Sequence, residues 1–323
     1  MRVLIEAHIL TGNPVGSRTI SKKLGGVLSP ATVRNMMTDL EEIGFLWQPH
    51  TSAGRVPTAL AMRYYISHMM KPEKLSPLER KTIERAFLGD FTDLLQLLES
   101  IGKILATLSD ELGLIVAPTG EELILHKIEL IPVTSTRLVM VLIMRSGLTR
   151  SIVMDFPDLE SDKLRELGNM LNQRLSGLKF SDIKKSISER LHDLRRLYGD
   201  FTSRLIQSAE EIFKLEDEIT ALFGRDNILK KPEFSDQEKQ SQIIELFESN
   251  EMILQCLPQI FSKDVEILIG PPPMTQLGLV MSSYPLGSGQ GLLGIVGPRR
   301  MNYPKLVELV AFVADKMSKL WEP

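Results

Sequence analysis

The sequence predicts an α+β protein of several domains, with a small head of helices closed by a β-hairpin and a larger mixed body. Three observations predict it. The chain has 323 residues, enough for two or three domains. Two short helices separated by a glycine turn precede two strand-like runs within the first seventy residues. Further on, strand-like runs stand on both sides of a mostly helical block, which indicates a helical insertion in an α+β domain.

The composition is that of an ordinary globular protein, with 43% hydrophobic and 24% charged residues. The single cysteine, Cys256, excludes an internal disulfide framework and a zinc site of several cysteines. No apolar run approaches the ~18 residues of a membrane span. The opening segment carries Glu6 and His8 inside its apolar stretch, so it makes a poor signal peptide. We therefore expect a cytoplasmic protein with no membrane partner.

The charge is unevenly distributed along the chain. Residues 1–70 carry seven Lys or Arg and four Asp or Glu, whereas the formal net charge of the whole chain is −3. The first seventy residues are therefore basic and the remainder is acidic. A basic head on an acidic body is typical of modular nucleic-acid binders, but three charges alone are weak support.

Two short helices are predicted near the N-terminus. Ser17 is a candidate N-cap for the first, which the glycine pair after Leu24 brings to an end. In the second, Ser29 is the N-cap and Pro30 takes the first helical position, where its missing N–H costs nothing. Gly44 ends this second helix. Two short helices joined by a tight glycine-containing turn make a helix-turn-helix candidate.

The second helix has the chemistry of a DNA-recognition helix. Its first two turns present Thr32, Arg34 and Asn35, and its acidic residues come late. A recognition helix places its N-terminal part in the major groove, where Arg pairs with guanine and Asn with adenine. For this helix alone, a solvated face on a core helix remains an equal alternative. The apolar residues that share one face are Val33, Met36, Met37, Leu40 and Ile43.

The segment PHTSAGRVPT, residues 49–58, favours the DNA-binding interpretation. FLWQ before it and RVPT at its end are strand-like, so PHTSAG becomes the tip of a β-hairpin, and helices followed by a hairpin form a winged helix-turn-helix. The tip offers hydroxyls, an imidazole and Arg55 to phosphate oxygens, and Gly54 permits a close backbone approach. Pro49 and Pro57 stiffen the hairpin and lower its ordering cost on binding.

The residues predicted to contact DNA come from both helices and from the hairpin. Hydroxyl groups suit phosphate oxygens, whereas Arg and Asn suit base edges. The predicted contacts are Ser17, Arg18, Ser29, Ala31, Thr32, Arg34, Asn35, Gln48, His50, Thr51, Ser52 and Arg55.

Two parts of the sequence resemble a known family. PVGSRTISKKL, LSPATVRNMMTDLEEIGFLWQPHTSAGRVPT and RYY, within residues 12–66, closely resemble the HrcA family of bacterial heat-inducible transcription repressors. GIVGPRRMNYPKLVELV, within residues 292–310, resembles the end of the same family. Between these two parts the resemblance is loose.

The resemblance implies a winged helix-turn-helix followed by a GAF-like domain that carries an inserted dimerisation domain. It also implies a repressor that binds double-stranded DNA as a homodimer at an inverted repeat, the CIRCE element upstream of chaperone genes. By the same resemblance, the GroE chaperonin supports the active fold of the repressor. Heat or a shortage of chaperonin then inactivates the repressor and releases the genes.

The residue patterns and the resemblance together divide the chain. Residues 1–70 are the predicted winged helix-turn-helix, and 71–90 are a linker that begins with the proline-broken, charged hinge KPEKLSP. Residues 91–155 and 228–323 form the predicted GAF-like domain. Residues 156–227, with their leucine stripes, form the predicted inserted dimerisation domain. Such stripes also occur in internal cores, and it is the family that favours a dimer.

No motif for catalysis or cofactor binding stands out elsewhere. Gly289, Gly291 and Gly294 match G-x-G-x-x-G, but they follow a turn and open a strand, so a hairpin is the better interpretation. The five histidines show no metal-ligand spacing, and no nucleophile–base pair is present. We therefore predict a protein that is not an enzyme and that needs neither cofactor nor metal. A winged-helix regulator that responds to a small molecule through its GAF-like domain is the alternative.

Overall fold

The structure, a computed structural model, is an α+β protein whose head and body are in contact. Cys256 lies outside the described residues. The structure describes residues 1–88, 94–117, 123–134, 136–145, 149–155, 161–213, 220–248, 255, 257, 264–272, 274–286 and 289–320.

The helices and strands follow the predicted order of head and body. In the head they are α1 (Arg2–Thr11), α2 (Ser17–Lys23), α3 (Pro30–Glu42), β1 (Leu46–Trp47), β2 (Val56–Pro57) and α4 (Ala59–His68). The elements from there to the second sheet are α5 (Pro77–Phe87), α6 (Leu94–Ser109), β3 (Leu112–Val116), β4 (Leu125–Thr134), β5 (Arg137–Met144) and β6 (Thr149–Asp155). The helical block contains α7 (Ser161–Leu175), α8 (Phe180–Arg190), α9 (Leu194–Gln207) and α10 (Ala209–Ile212). The remaining elements are β7 (Thr220–Phe223), α11 (Arg225–Leu229), α12 (Gln237–Glu248), β8 (Glu266–Ile269), β9 (Leu277–Leu286), β10 (Gly289–Pro298) and α13 (Tyr303–Leu320).

Local sequence signals set the start of α3 as predicted, but not the start of α2. The Thr32 amide donates a hydrogen bond to the Ser29 hydroxyl at 3.1 Å, so Ser29 is the N-cap of α3. The prediction of Ser17 as N-cap was wrong, because Gly16 occupies that position and Ser17 is already helical. The backbone pairing of Val15 with the hairpin holds the chain extended up to Gly16, which leaves Ser17 to begin the helix.

The apolar face of α3 is only partly buried. Val33 and Met37 belong to the core of the head, whereas Met36 and Ile43 are 50% and 62% exposed. The core of the head is small, and it covers only the middle of the predicted stripe. Its buried members are Leu4, Ala7, Val15, Ile20, Val33, Met37 and Leu46.

The segment predicted as a linker contains a helix that is held against the body. The Glu79 amide donates to the Ser76 hydroxyl, and the Ser76 amide donates to the Glu79 carboxylate at 2.8 Å, which forms a capping box at the start of α5. Ile83 is fully buried, and Lys305 Nζ of α13 lies 2.6 Å from Glu79 Oε1. Hydrogen bonds from Lys305 and Ser76 lower the pKa of Glu79 to about 2. The chain after the KPEKLSP hinge is therefore anchored on the body.

A five-stranded antiparallel sheet forms the centre of the body, with the strand order β7-β3-β10-β9-β8. One of its faces packs on α6 and α13 through side chains such as Leu293 and Leu309. The other face packs on α11 and α12, through side chains such as Leu279 and Phe247. Gly289, Gly291 and Gly294 lie in β10, paired with β9, so the G-x-G-x-x-G match belongs to an antiparallel strand pair.

A second, three-stranded sheet has the order β4-β5-β6 and a separate helical layer. Buried side chains of β4 and β5, such as Ile128 and Met140, pack with those of α7, such as Leu171. The Asn172 side chain donates to the Ile128 carbonyl at 2.8 Å and accepts from the Ile128 amide at 2.6 Å. These two bonds satisfy backbone groups of β4, which lies at one edge of the three-stranded sheet that the described residues form.

The strand pairing of the two sheets crosses the limits of the predicted domain ranges, which remain a prediction. β4, β5 and β6, predicted with the GAF-like part at 91–155, pair only with one another and pack with α7. Conversely, β7 falls inside the predicted insertion at 156–227, but it pairs with β3, with Thr220 opposite Val116. Residues 156–227 were predicted to be mostly helical, so the strand β7 was not foreseen there. Pairing between distant strands also has no local sequence signal.

The head is seated on the body through apolar packing and hydrogen bonds. Ile5, Met62 and Tyr65 of the head are buried in the same cluster as side chains of α6 and α13. Arg63 of α4 donates to the Ile269 carbonyl of β8 at 2.8 Å. These contacts couple the orientation of α1 and α4 to the five-stranded sheet.

A buried carboxylate lies at the start of β3, where it meets the segment after α11. Glu111 is 7% exposed, and Lys231 Nζ lies 3.2 Å from its Oε1 and 3.0 Å from Asp110 Oδ2. Glu111 Oε2 has no hydrogen-bond partner among the described residues. Burial raises the pKa of Glu111 to about 7, and the attraction of Lys231, which is shared with Asp110, only partly opposes this.

We expect Glu111→Gln to flatten the dependence of stability on pH. With its pKa raised from 4.5 to about 7, folded Glu111 holds a proton that the unfolded chain has lost. Stability therefore falls as the pH rises through that window, by on the order of 2–3 kcal/mol. Urea unfolding at pH 5 and pH 8 measures the difference, and exposed Glu238→Gln is the control. An unchanged pH dependence in Glu111→Gln would contradict the assignment.

Candidate nucleic-acid interface

The N-terminal part of α3 is a fixed and solvent-exposed surface. The Ser29 cap holds the first turn, and the Ser29 and Thr32 hydroxyls lie 2.9 Å apart. Ala31, Arg34 and Asn35 are exposed, and the Arg34 and Asn35 side chains make no hydrogen bond among the described residues. Two long polar side chains thus stand free on a rigid helix start, as direct reading of base edges requires.

The turn between α2 and α3 fixes the angle at which α3 is presented. Gly25 and Gly26 have φ of 68° and 77°, a left-handed conformation that favours glycine. The buried Ser21 hydroxyl donates to the Leu28 carbonyl across this turn at 2.7 Å. Ile20 and Val33 pack together in the core of the head. The two helices are therefore held as one unit.

The tip of the hairpin is braced by Gln48. Its amide nitrogen donates to the carbonyls of Thr51 and Ala53, both at 2.9 Å. Gln48 therefore shapes the loop, whereas His50, Thr51 and Ser52 are exposed at the tip. His50, Thr51 and Ser52 are therefore available for contact with a partner, whereas Gln48 is not.

Arg55 joins the hairpin to α3. Its Nε lies 2.7 Å from Glu41 Oε2, and its side chain is only 16% exposed. Its backbone also pairs with Val15, each amide donating to the other's carbonyl at 2.9 Å. A guanidinium that is engaged by Glu41 and largely covered is a brace, and the phosphate contact expected of it from sequence does not fit this position.

Gly54 makes a close approach, but to the protein's own chain. A Cβ at this position would lie 2.4 Å from the carbonyl carbon and oxygen of Val15. The glycine therefore lets the hairpin lie directly on the strand-like segment before α2. The close approach that the structure shows is to Val15, and the approach to DNA predicted from sequence remains a prediction.

The exposed positive charge of the head is concentrated on α2 and α3. Arg18, Lys22, Lys23 and Arg34 are all exposed. Sequence reasoning passed over Lys22 and Lys23, because two lysines at the end of a helix are explained equally well by the helix dipole. Their position beside the exposed start of α3 is what adds them to the surface.

The structure separates the twelve predicted contact residues into two groups. Those that are half-buried are Ser17, Gln48 and Arg55, and the last two are already bonded within the head. The exposed ones lie at the start of α2, at the start of α3 and at the tip of the hairpin: Arg18, Ser29, Ala31, Thr32, Arg34, Asn35, His50, Thr51 and Ser52.

The described ranges show neither a metal centre nor a membrane-spanning helix. They contain no group of three or more His, Cys, Asp or Glu placed to hold a metal ion. No helix there is long and apolar enough to cross a membrane.

We expect Gly54→Ala to loosen the hairpin from α2. The added Cβ cannot avoid the Val15 backbone, so the hairpin must shift, at a cost of roughly 1–3 kcal/mol. Hydrogen exchange of the Val15 and Arg55 amides in the full chain measures the loss. Gly16→Ala is the control, since a Cβ at Gly16 meets nothing within 4 Å. Equal protection in Gly54→Ala and the parent would show that the close contact does not hold the hairpin.

A family model matches more than half of the chain. The sequence model described as "HrcA protein C terminal domain" matches residues 95–307. A solved structure titled "Crystal structure of a hypothetical protein at 2.2 A resolution" has a TM-score of 0.63 at 20% identity, with 98% of this chain and 95% of that chain covered. This likeness shows a shared fold.

Curated relatives match over the full length of the chain. Each of the following is named "Heat-inducible transcription repressor HrcA". The protein of Syntrophobacter fumaroxidans is 32% identical, with 100% of this chain and 95% of the relative covered. That of Geobacter sulfurreducens is 32% identical over 100% and 96%. That of Prosthecochloris aestuarii is 33% identical over 98% and 94%. By these matches the chain belongs to the HrcA family.

Proposed function

We propose that this protein is a DNA-binding transcription repressor of heat-shock operons and that it acts as a homodimer on an inverted repeat. The observation that carries the proposal is the exposed, capped start of α3, with Arg34 and Asn35 free beside a braced hairpin. The names of the curated relatives support the same function. The proposal makes the protein a regulator and not an enzyme, at work in the bacterial cytoplasm where operators are found.

The head is proposed to work as a winged helix-turn-helix. In this arrangement α3 enters the major groove and the hairpin lies along the phosphate backbone. Arg34 and Asn35 then read base edges, and hydroxyls at the helix start and hairpin tip bind phosphates. Lys22 and Lys23 add positive charge beside the groove.

Three of the twelve residues are proposed to act indirectly. Gln48 holds the hairpin tip, and Arg55 fixes the hairpin to α3 through Glu41. Ser17 lies half-buried in the first turn of α2. We propose that they position the surface and that the other nine residues bind the DNA.

The unit that contains the three-stranded sheet is proposed to form the dimer interface. One face of the sheet packs on helices, while its other face exposes Ile131 and Val153 at 50% and 67%. These two side chains flank Val139 in one cross-strand row. Exposed apolar side chains grouped on one face indicate a protein interface, and a two-fold contact places the same face on both copies.

The five-stranded sheet with its helices is proposed to be the GAF-like domain, and the unit from β4 to α10 the insertion within it. Two halves linked in this way present two heads, which suits an inverted repeat such as CIRCE, because linked half-site affinities combine.

Heat sensitivity is proposed to follow from the division of the apolar core into three clusters. Opening of one cluster exposes apolar surface and leads to irreversible aggregation. The loss of activity is then governed by the rate of opening and not by an equilibrium. A chaperonin of the GroE type that recaptures such states would then set the active fraction of the repressor.

The test is a gel shift of the purified full chain on a CIRCE duplex and on a scrambled duplex. We expect selective binding to the inverted repeat, loss of binding after warming and cooling, and partial recovery with chaperonin and ATP. Equal binding to both duplexes would contradict the repressor proposal. Full spontaneous recovery without any effect of chaperonin would remove the heat mechanism and favour the small-molecule-responsive regulator.

We expect Arg34→Ala and Asn35→Ala each to relax sequence preference. Each removes a base contact worth ~1–3 kcal/mol, so affinity falls for the inverted repeat and hardly changes for random DNA. Lys23→Ala is the matched control. It should weaken binding to both duplexes equally and reduce the salt dependence of binding. If all three variants lose affinity equally for both duplexes, Arg34 and Asn35 contact phosphates only.

We expect Val153→Lys to weaken the dimer at least tenfold. The substitution places a charge in an apolar contact on both copies at once, because the interface is two-fold. Sedimentation equilibrium measures the dissociation constant. Leu78→Lys is the control, since Leu78 is 74% exposed on α5. A Val153→Lys dimer as tight as the parent would place the interface elsewhere.

A further inference from the structure

A cleft of about 440 Å³ lies between the head and the body. The hairpin contributes Trp47, and the end of α1 contributes His8 and Gly12. The body contributes Arg299 and Arg300, from the turn between β10 and α13. A volume of this size is within the ordinary range for small-molecule sites.

The wall of the cleft formed by the head includes apolar side chains. Trp47 is 48% exposed, and it lies beside Val56 and Met62 on the same wall. An exposed indole offers a face on which another planar ring can stack. The wall therefore suits a planar ring.

The opposite wall carries positive charge on a fixed backbone. The Arg299 amide donates to the Gln276 carbonyl at 3.3 Å, and the buried Tyr303 hydroxyl donates to the Arg299 carbonyl at 2.9 Å. The Arg299 side chain is exposed and has no ion pair or hydrogen bond among the described residues. Lys239 adds a second exposed cation to this wall.

Arg300 links the head to the body at the cleft. Its guanidinium is bonded to the Glu233 carboxylate by two nitrogens and donates to the Ile9 carbonyl of α1 at 3.2 Å. Gly12 lies against the same guanidinium, because a Cβ there would be 2.9 Å from its Nε. Arg300 is thereby neutralised and anchored, which leaves Arg299 and Lys239 as the cations open to a ligand.

The geometry points to a binding site for a small aromatic anion, with the ring stacked on Trp47 and the carboxylate or phosphate held by Arg299 and Lys239. Guanidinium groups bind both anions through paired hydrogen bonds. None of the residues proposed to bind DNA lines the cleft. The ligand would touch the hairpin and the body at once, so its binding favours the docked orientation of the head.

The test uses the fluorescence of Trp47. The sequence has two tryptophans, so Trp321→Phe in the full chain leaves Trp47 as the reporter. The probes are AMP, a phosphate, and benzoate, a carboxylate, with adenosine and benzamide as their uncharged counterparts. We expect at least one anion to give a saturable change with a dissociation constant below ~1 mM, and its uncharged counterpart to bind at least tenfold more weakly.

Two variants decide whether the cleft is responsible. Arg299→Ala should weaken the anion at least tenfold, whereas Arg85→Ala, which removes an exposed arginine from α5, should leave binding unchanged. Melting curves without probe show whether either variant has lost its fold. Lys239→Ala, on a different element, repeats the test should Arg299→Ala unfold.

Absence of saturable binding by both anions overturns the site, and so does an affinity that both cation variants leave unchanged. The pattern of binding by AMP and benzoate tells whether phosphate or carboxylate is preferred. Gel shifts of the same variants on the CIRCE duplex report separately on the repressor function, which does not depend on this site.

Discussion

The packing of the head on the body is the constraint on which the rest of the structure depends. Ile5, Met62 and Tyr65 share one apolar cluster with the body, and Arg63 and Arg300 add hydrogen bonds to carbonyls across the boundary. Because these contacts involve α1 and α4, they leave the exposed start of α3 and the tip of the hairpin free. The same contacts create the cleft beside Trp47.

Local signals allowed much of the head to be predicted from sequence. Ser29 followed by Pro30 is a helix start whose physical basis lies within a few residues, and the structure shows that helix as expected. The glycine pair after Leu24 required a left-handed turn, which is also present. The prediction of Ser17 as an N-cap was wrong because the backbone before it is fixed by the hairpin, nearly forty residues further along the chain.

Residue type alone did not distinguish a contact surface from a brace. Arg55 has the chemistry of a phosphate contact, but its use depends on Glu41, which folds into reach from the end of α3. Gly54 permits a close backbone approach, but the residue type does not indicate which group approaches it. In the body, β7 joins the five-stranded sheet beside β3, whereas β4 belongs to a separate three-stranded sheet. Such choices depend on pairing between distant segments, and one sequence contains no local sign of them.

The pairing of Val116 with Thr220 has a consequence for how the chain folds. Strands β3 and β7 are in effect a hairpin whose loop is roughly a hundred residues long, and closing a flexible loop of that length costs on the order of 4 kcal/mol in entropy. If the second sheet and its helices fold first, this compact unit brings the end of β3 close to the start of β7. The order of assembly that avoids the entropic penalty is therefore from the inside of the insertion outward, with the edge of the large sheet completed last.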